Sequence, residues 1–120
     1  RPRDWSSDVC SSDLTKESGV DVLALTGRMD VVTAPIFERR IRELSESGAT
    51  RLVVNLQTLD YISSAGLRAM IVAAKLLESK GGAMRFASPQ GLVKSVFDVS
   101  NFGSMFKISD SVTTAIATFD

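Results

Sequence analysis

RLVVNLQTLDYISSAGLRAMIVAAKLLES, residues 51–79, joins two unlike patterns across a tight turn. Arg51 to Leu56 is a short β-branched run, which suits a strand buried at the centre of a sheet. From about Ala65 to Ser79 the spacing is helical, with Leu67, Met70, Ile71, Ala74 and Leu77 on one apolar stripe. Ala69, Val72, Ala73 and Leu76 make a second stripe. Such a helix is either buried on both sides or keeps part of that second stripe exposed for a partner.

The alternation continues on either side. Val20 to Leu25 reads as a strand that stops at Gly27. Thr33 is placed to cap a helix with Pro35 in its first turn, Ile36, Phe37, Ile41 and Leu44 on one face, and Gly48 closing it. Ala83 to Ala87 suits another strand. Beyond it, Ser88 is placed as the cap of a helix with Pro89 early and Leu92, Val93, Val96 and Phe97 on one face. SMFKI, residues 104–108, reads as a last strand, and Asp110 as the cap of a final short helix. Strands alternating with three to four helices imply an α/β domain, a small sheet with helices packed on it.

Bulk properties narrow the function classes. The 120 residues are 44% hydrophobic and 23% charged, which suits one globular domain. Net charge is zero, so no basic field points to nucleic acid or an anionic membrane surface. No apolar run reaches the roughly 18 residues that span a bilayer. Histidine is absent, removing the commonest general base and metal ligand, and a single cysteine, Cys10, builds neither an internal disulfide nor a cysteine metal site. The expectation is a cytoplasmic protein that is not an enzyme, with no cofactor and no metal.

RPRDWSSDVCSSDL, residues 1–14, differs from the rest. It holds the only tryptophan and the only cysteine and shows neither a helical nor a strand period. It lacks the apolar region of a signal peptide. The string resembles the conceptual translation of a sequencing-library adapter. Residues 1–14 are therefore expected to be non-native, with the domain proper occupying 15–120, and Trp5 and Cys10 enter no functional argument.

The turn itself admits two uses. A serine before a helix is a common N-cap, since its oxygen accepts a bond from an unpaired backbone N–H. The same helix start also favours an anion, because it carries about half a positive charge. Phosphorylation of Ser64 would place about −1.5 to −2 charges there. Arg68, one turn on, is spaced to pair with such a phosphate, and Gly66 allows close backbone approach by the phosphate or a partner. Local physics favours Ser64 over Ser63 only slightly, as the residue nearer the helix start. A catalytic serine would need a base, yet no histidine exists, and Lys75 and Lys80 lie far along or beyond the helix. SSAG also differs from the G-x-S-x-G elbow of hydrolases, and KGG follows a helix rather than opening one as a phosphate loop would.

LALTGRMDVVTAPIFERRI, RLVVNLQTLDYISSAGLRAMIVAAK and GGAMRFASPQGLVKSVFDVSNFGSMFKI, with the terminal helix, together resemble a STAS domain of the bacterial anti-sigma-factor-antagonist type. The resemblance covers Lys16 to Phe119 and implies the STAS fold, a small mixed β-sheet with about four helices packed on it. It also implies partner switching. Such a protein binds an anti-sigma factor that is also a serine kinase of the GHKL type and so frees the sigma factor. Phosphorylation ends the interaction, and a PP2C-type phosphatase restores it.

The family motif is commonly Asp-Ser-Ser/Thr/Ala-Gly-Leu, with the phosphoacceptor after the Asp. That assigns the acceptor to Ser64 and leaves Ser63 where the Asp often stands. Asp30, Ser63, Ala65, Gly66, Leu67 and Arg68 are the implied partner-binding residues. An alternative within the family is an accessory subunit of a transport system that binds an ATPase subunit without phosphorylation. Family members usually begin with a strand before Val20, so that strand is expected to be missing or imitated by unrelated residues.

Overall fold

The computed structural model describes residues 11–119, so Trp5 and Cys10 lie outside it. The strands are β1 (Ser11–Glu17), β2 (Val20–Met29), β3 (Arg51–Ile62), β4 (Ala83–Ala87) and β5 (Ile108–Ser109), and they form one sheet in that order. β1 is antiparallel to β2, whereas β2 to β5 are mutually parallel. The α-helices are α1 (Ala34–Glu46), α2 (Ser64–Ser79), α3 (Gly91–Val99) and α4 (Val112–Ala117). This is the expected small mixed sheet with four helices.

Parallel strands that neighbour one another in chain order need crossovers of one hand, which place their helices on one face. Accordingly Leu23, Leu25, Leu52, Val54, Leu56, Met84 and Phe86 pack with Phe37, Ile41, Met70, Leu77 and Phe97 from α1, α2 and α3. The opposite face carries a smaller cluster of Val20, Val22, Val53 and Ala87 under Ala115 of α4. Leu52, Val53 and Val54 are all fully buried, which is why the RLVVNL run does not alternate. Burial also divides the second stripe of α2. Ala69 and Ala73 are buried, while Val72 remains exposed.

Residues 11–17 stand at the position of the first strand, where Thr15 pairs with Val22 and Lys16 with Asp21. The Lys16 ammonium adds an ion pair at 3.6 Å to the Asp21 carboxylate. Strand β3 runs on to Ile62, six residues past Leu56, with register shifts against β2 that let the longer strand end level with it. SMFKI yields only Ile108 to the last strand. Before it, Asn101 adopts a left-handed conformation and Phe102–Ser104 forms a 3-10 turn. That turn serves packing. Phe102 stacks on Phe97 at 4.4 Å and meets Phe86 at 5.0 Å, and Phe106 lies 5.1 Å from Phe102.

The caps also move. Ser88 caps nothing. It sits at φ 59° and donates its hydroxyl to the Asp110 carbonyl, tying the end of β4 to the approach to α4. Ser111, not Asp110, caps α4, by accepting from the Thr114 N–H at 3.1 Å. Thr33 is already helical in its backbone angles and makes no side-chain cap bond to α1. At α4 the row Ser109-Asp110-Ser111 offers several candidates, and the cap falls to Ser111, the last residue in extended geometry.

Candidate functional site

The ends of β2 and β3 deliver two helix starts side by side. Met29 pairs with Ile62 in the parallel register, and both are buried in the main core. One residue on, the Ser63 N–H donates to the Met29 carbonyl at 2.9 Å. Asp30 and Ser63 thus follow adjacent, anchored positions.

At α2 the two serines divide the work. Ser63 is still extended, at φ −94° and ψ 174°, and its hydroxyl accepts the Gly66 N–H at 3.1 Å. It is the N-cap. Ser64 is the first helical residue, is exposed, and makes no hydrogen bond to the described residues through its hydroxyl. Cap and candidate phosphoacceptor are therefore different residues. The place where the family motif commonly has Asp is a capping position, and Ser and Asp are comparably good caps. Ser63→Ala is expected to lower stability by about 1 kcal/mol in thermal denaturation, whereas Ser63→Asp should leave it within a few tenths.

Gly66 is buried, and the backbone of Met29 approaches it closely. A Cβ there would lie 2.4 Å from the Met29 carbonyl oxygen. Ala65 and Leu67 are half-buried, with Leu67 packed against the main core. Arg68 is exposed one turn beyond Ser64.

At α1 the capping residue is Asp30. Its Oδ1 accepts the Val32 N–H at 3.0 Å and the Thr33 N–H at 3.2 Å. Thr33 Oγ1 accepts the Asp30 N–H in return at 2.9 Å, forming a reciprocal capping box with Asp and Thr in the two roles. The Ala34 N–H reaches the Asp30 carbonyl, so helical turning begins three residues ahead of α1 proper. Oδ2 faces Arg28 Nε at 3.7 Å, and the Arg28 guanidinium lies 4.4 Å from the centre of the Tyr61 ring.

The Thr33 N–H holds the Asp30 carboxyl below the usual carboxylate range. The Val32 N–H, the Thr33 hydroxyl and the Arg28 charge act the same way, against an opposing push from burial. A folded pKa below the unfolded one adds stability at neutral pH that is lost as pH falls through the lowered value. In an acid titration followed by circular dichroism, Asp30→Asn is expected to remove this part of the acid limb.

Sequence reasoning named Asp30 and the SSAGLR turn but missed Thr33 as the partner of Asp30, and missed the Arg28–Tyr61 stack. The D-x-x-T spacing was an available signal for the first. The second depends on strand register, which no local pattern carries. A cavity of about 500 Å³ opens elsewhere, at the start of α3, and is lined by Ser88, Gln90, Lys94, Asp98, Asn101 and Asp110. No residue around Ser64 lines it. Among the described residues no cluster of three or more carboxylate, Cys or His side chains could hold a metal, and no helix is long and apolar enough to cross a membrane. The site is an exposed surface built from two helix starts.

The model of the STAS domain family matches residues 11–115. This chain belongs to the STAS domain family. The match begins inside the stretch that resembles an adapter. The protein named "Putative anti-sigma factor antagonist BtrV", from Bordetella bronchiseptica, is 33% identical over 106 residues, covering 88% of this chain and 91% of that protein. The "Anti-sigma-B factor antagonist" of Bacillus subtilis is 26% identical over 85 residues, covering 71% and 77%. Among solved structures, the anti-sigma factor antagonist SpoIIAA in its unphosphorylated form superposes with a TM-score of 0.76 at 20% identity, covering 91% of this chain and 96% of that one. At that identity the superposition speaks for the fold.

Proposed function

We propose that this STAS domain is an anti-sigma factor antagonist of a bacterial partner-switching pathway, switched off by phosphorylation of Ser64. It acts in the cytoplasm as a binding module. Its partner is an anti-sigma factor that is also a GHKL-type serine kinase, and a PP2C-type phosphatase returns it to the binding state. The relatives that match most of its length carry the antagonist name. The observation that carries the switch is the placement of Ser64: exposed, first in α2, and relieved of capping duty by Ser63.

A hydroxyl engaged as a cap is held against the backbone, whereas one at the next position is free to enter a kinase. The phosphate would sit in the positive field of the α2 start, one turn from Arg68. At a packed interface the same charge repels and must be desolvated, which is the off-signal. Incubation with the cognate kinase and ATP, followed by mass-spectrometric mapping, is expected to place one phosphate on Ser64. Phosphate on Ser63 or elsewhere would overturn the assignment. A chain that binds without ever accepting phosphate would instead fit the accessory-subunit role in transport.

A further inference from the structure

We infer that α4 is a strap over the second face of the sheet. Ser88 and Arg85 buckle it to β4 at its two ends, and it opens as a unit while the sheet and α1 to α3 stay folded.

The strap is lightly seated. Helices α1, α2 and α3 bury Phe37 and Ile41, Met70 and Leu77, and Phe97 in the main core, whereas α4 buries only Ala115. Val112, Ile116 and Phe119 stay half-buried even when α4 is docked, so they hold it by less than their full burial would. Among the described residues no backbone hydrogen bond joins α4 to a strand. A helix of six residues does not persist alone in water, so leaving the sheet and melting are one event.

Two side chains supply the hold. Ahead of the helix, the Ser88 hydroxyl donates to the Asp110 carbonyl at 3.0 Å. At the far end, Arg85 Nε donates to Thr118 Oγ1 at 2.9 Å, and the guanidinium lies 4.5 Å from the centre of the Phe119 ring. Arg85 pairs with Val53 in the parallel register, which places it at the rim of the cluster that α4 covers. Opening bares Val20, Val22, Val53 and Ala87, on the side of the sheet away from α2 and Ser64. The closed protein withholds this apolar face, and Arg85 governs how often it appears.

Native-state amide exchange on the whole chain, followed by NMR at several low denaturant concentrations, tests this. The Ala115 and Thr118 N–H groups donate to the Ser111 and Thr114 carbonyls and report on α4. They are expected to be about 100-fold less protected than Leu23 and Val54, with little dependence on denaturant. Arg85→Met keeps the stem and removes the guanidinium, and should speed exchange at Ala115 and Thr118 about tenfold. Ile41→Val weakens the main core without touching the strap. It should speed Leu23 and Val54 about fivefold and leave Ala115 and Thr118 unchanged.

Ile41→Val that speeds both pairs of amides alike would overturn the inference, because α4 would then open only with the whole fold. Arg85→Met that leaves Ala115 and Thr118 within about twofold of wild type would overturn the buckle. If Arg85→Met does not fold, Ser88→Gly decides: glycine suits the φ of 59° and drops only the side chain. It should speed the same two amides about threefold, and unchanged exchange overturns the buckle there.

Discussion

Gly66→Ala is expected to lower the melting temperature by about 10 °C, although alanine is the better helix former by about 1 kcal/mol. The methyl group would lie 2.4 Å from the Met29 carbonyl oxygen, 2.6 Å from Met29 Cγ and 3.0 Å from the Met29 carbonyl carbon. Two of these atoms are backbone and cannot swing aside. Met29 is fully buried, and its carbonyl also receives the Ser63 N–H, so moving it breaks the anchor of the α2 cap. Overpacking of this kind costs about 1–3 kcal/mol, and the lost anchor puts this site near the upper end. Each kcal/mol corresponds to about 4 °C for a chain of this length.

Gly103→Ala is the internal comparison. Its new methyl group would meet only Ile108 Cδ1, at 3.8 Å, an ordinary contact. Differential scanning calorimetry of the two variants should separate them clearly. A Gly66→Ala protein melting within about 2 °C of wild type would mean that the start of α2 does not press on the Met29 backbone.

That contrast shows what local sequence can and cannot carry. Gly66 drew attention in the SSAG turn, and close backbone approach was the right property. The approaching chain, Met29, lies far off in sequence and enters through the β2–β3 register. The strands and helices were legible because their periods are local: RLVVNL for the buried strand, and the stripes of α2 for its helix. The exceptions are instructive. SMFKI looks like a strand, but the pull of Phe86 and Phe97 on Phe102 favours a 3-10 turn ahead of a short β5.

The candidate site divides in the same way. Ser64 was legible as a helix start, and its proposal as phosphoacceptor over Ser63 rests on the family motif. The capping role of Ser63 and the Asp30–Thr33 box required knowing where each chain leaves extended geometry. Serine at the family's usual Asp position is compatible with Ser64 as the acceptor, since either residue can hold the α2 cap.

Ser64→Glu should separate stability from binding by moving them in opposite directions. A negative charge at the first helical position meets the positive end of α2, a gain of about 0.3–1 kcal/mol that salt diminishes. Arg68 at the next turn adds to it, so the melting temperature should rise by about 1–2 °C. Binding to the anti-sigma factor should fall about 100-fold, equivalent to about 2.7 kcal/mol. The charge that solvent and helix dipole tolerate in the free protein must be stripped of water against the partner.

Phosphoserine, with about twice the charge, should weaken binding further and should not destabilise the fold. Ser64→Ala should bind as wild type and stay bound in the presence of ATP. Loss of binding together with a fall in melting temperature would point to a switch that works by unfolding the start of α2. Loss of binding with the melting temperature held or raised leaves the folded surface intact, and the switch then lies in the charge that Ser64 presents to its partner.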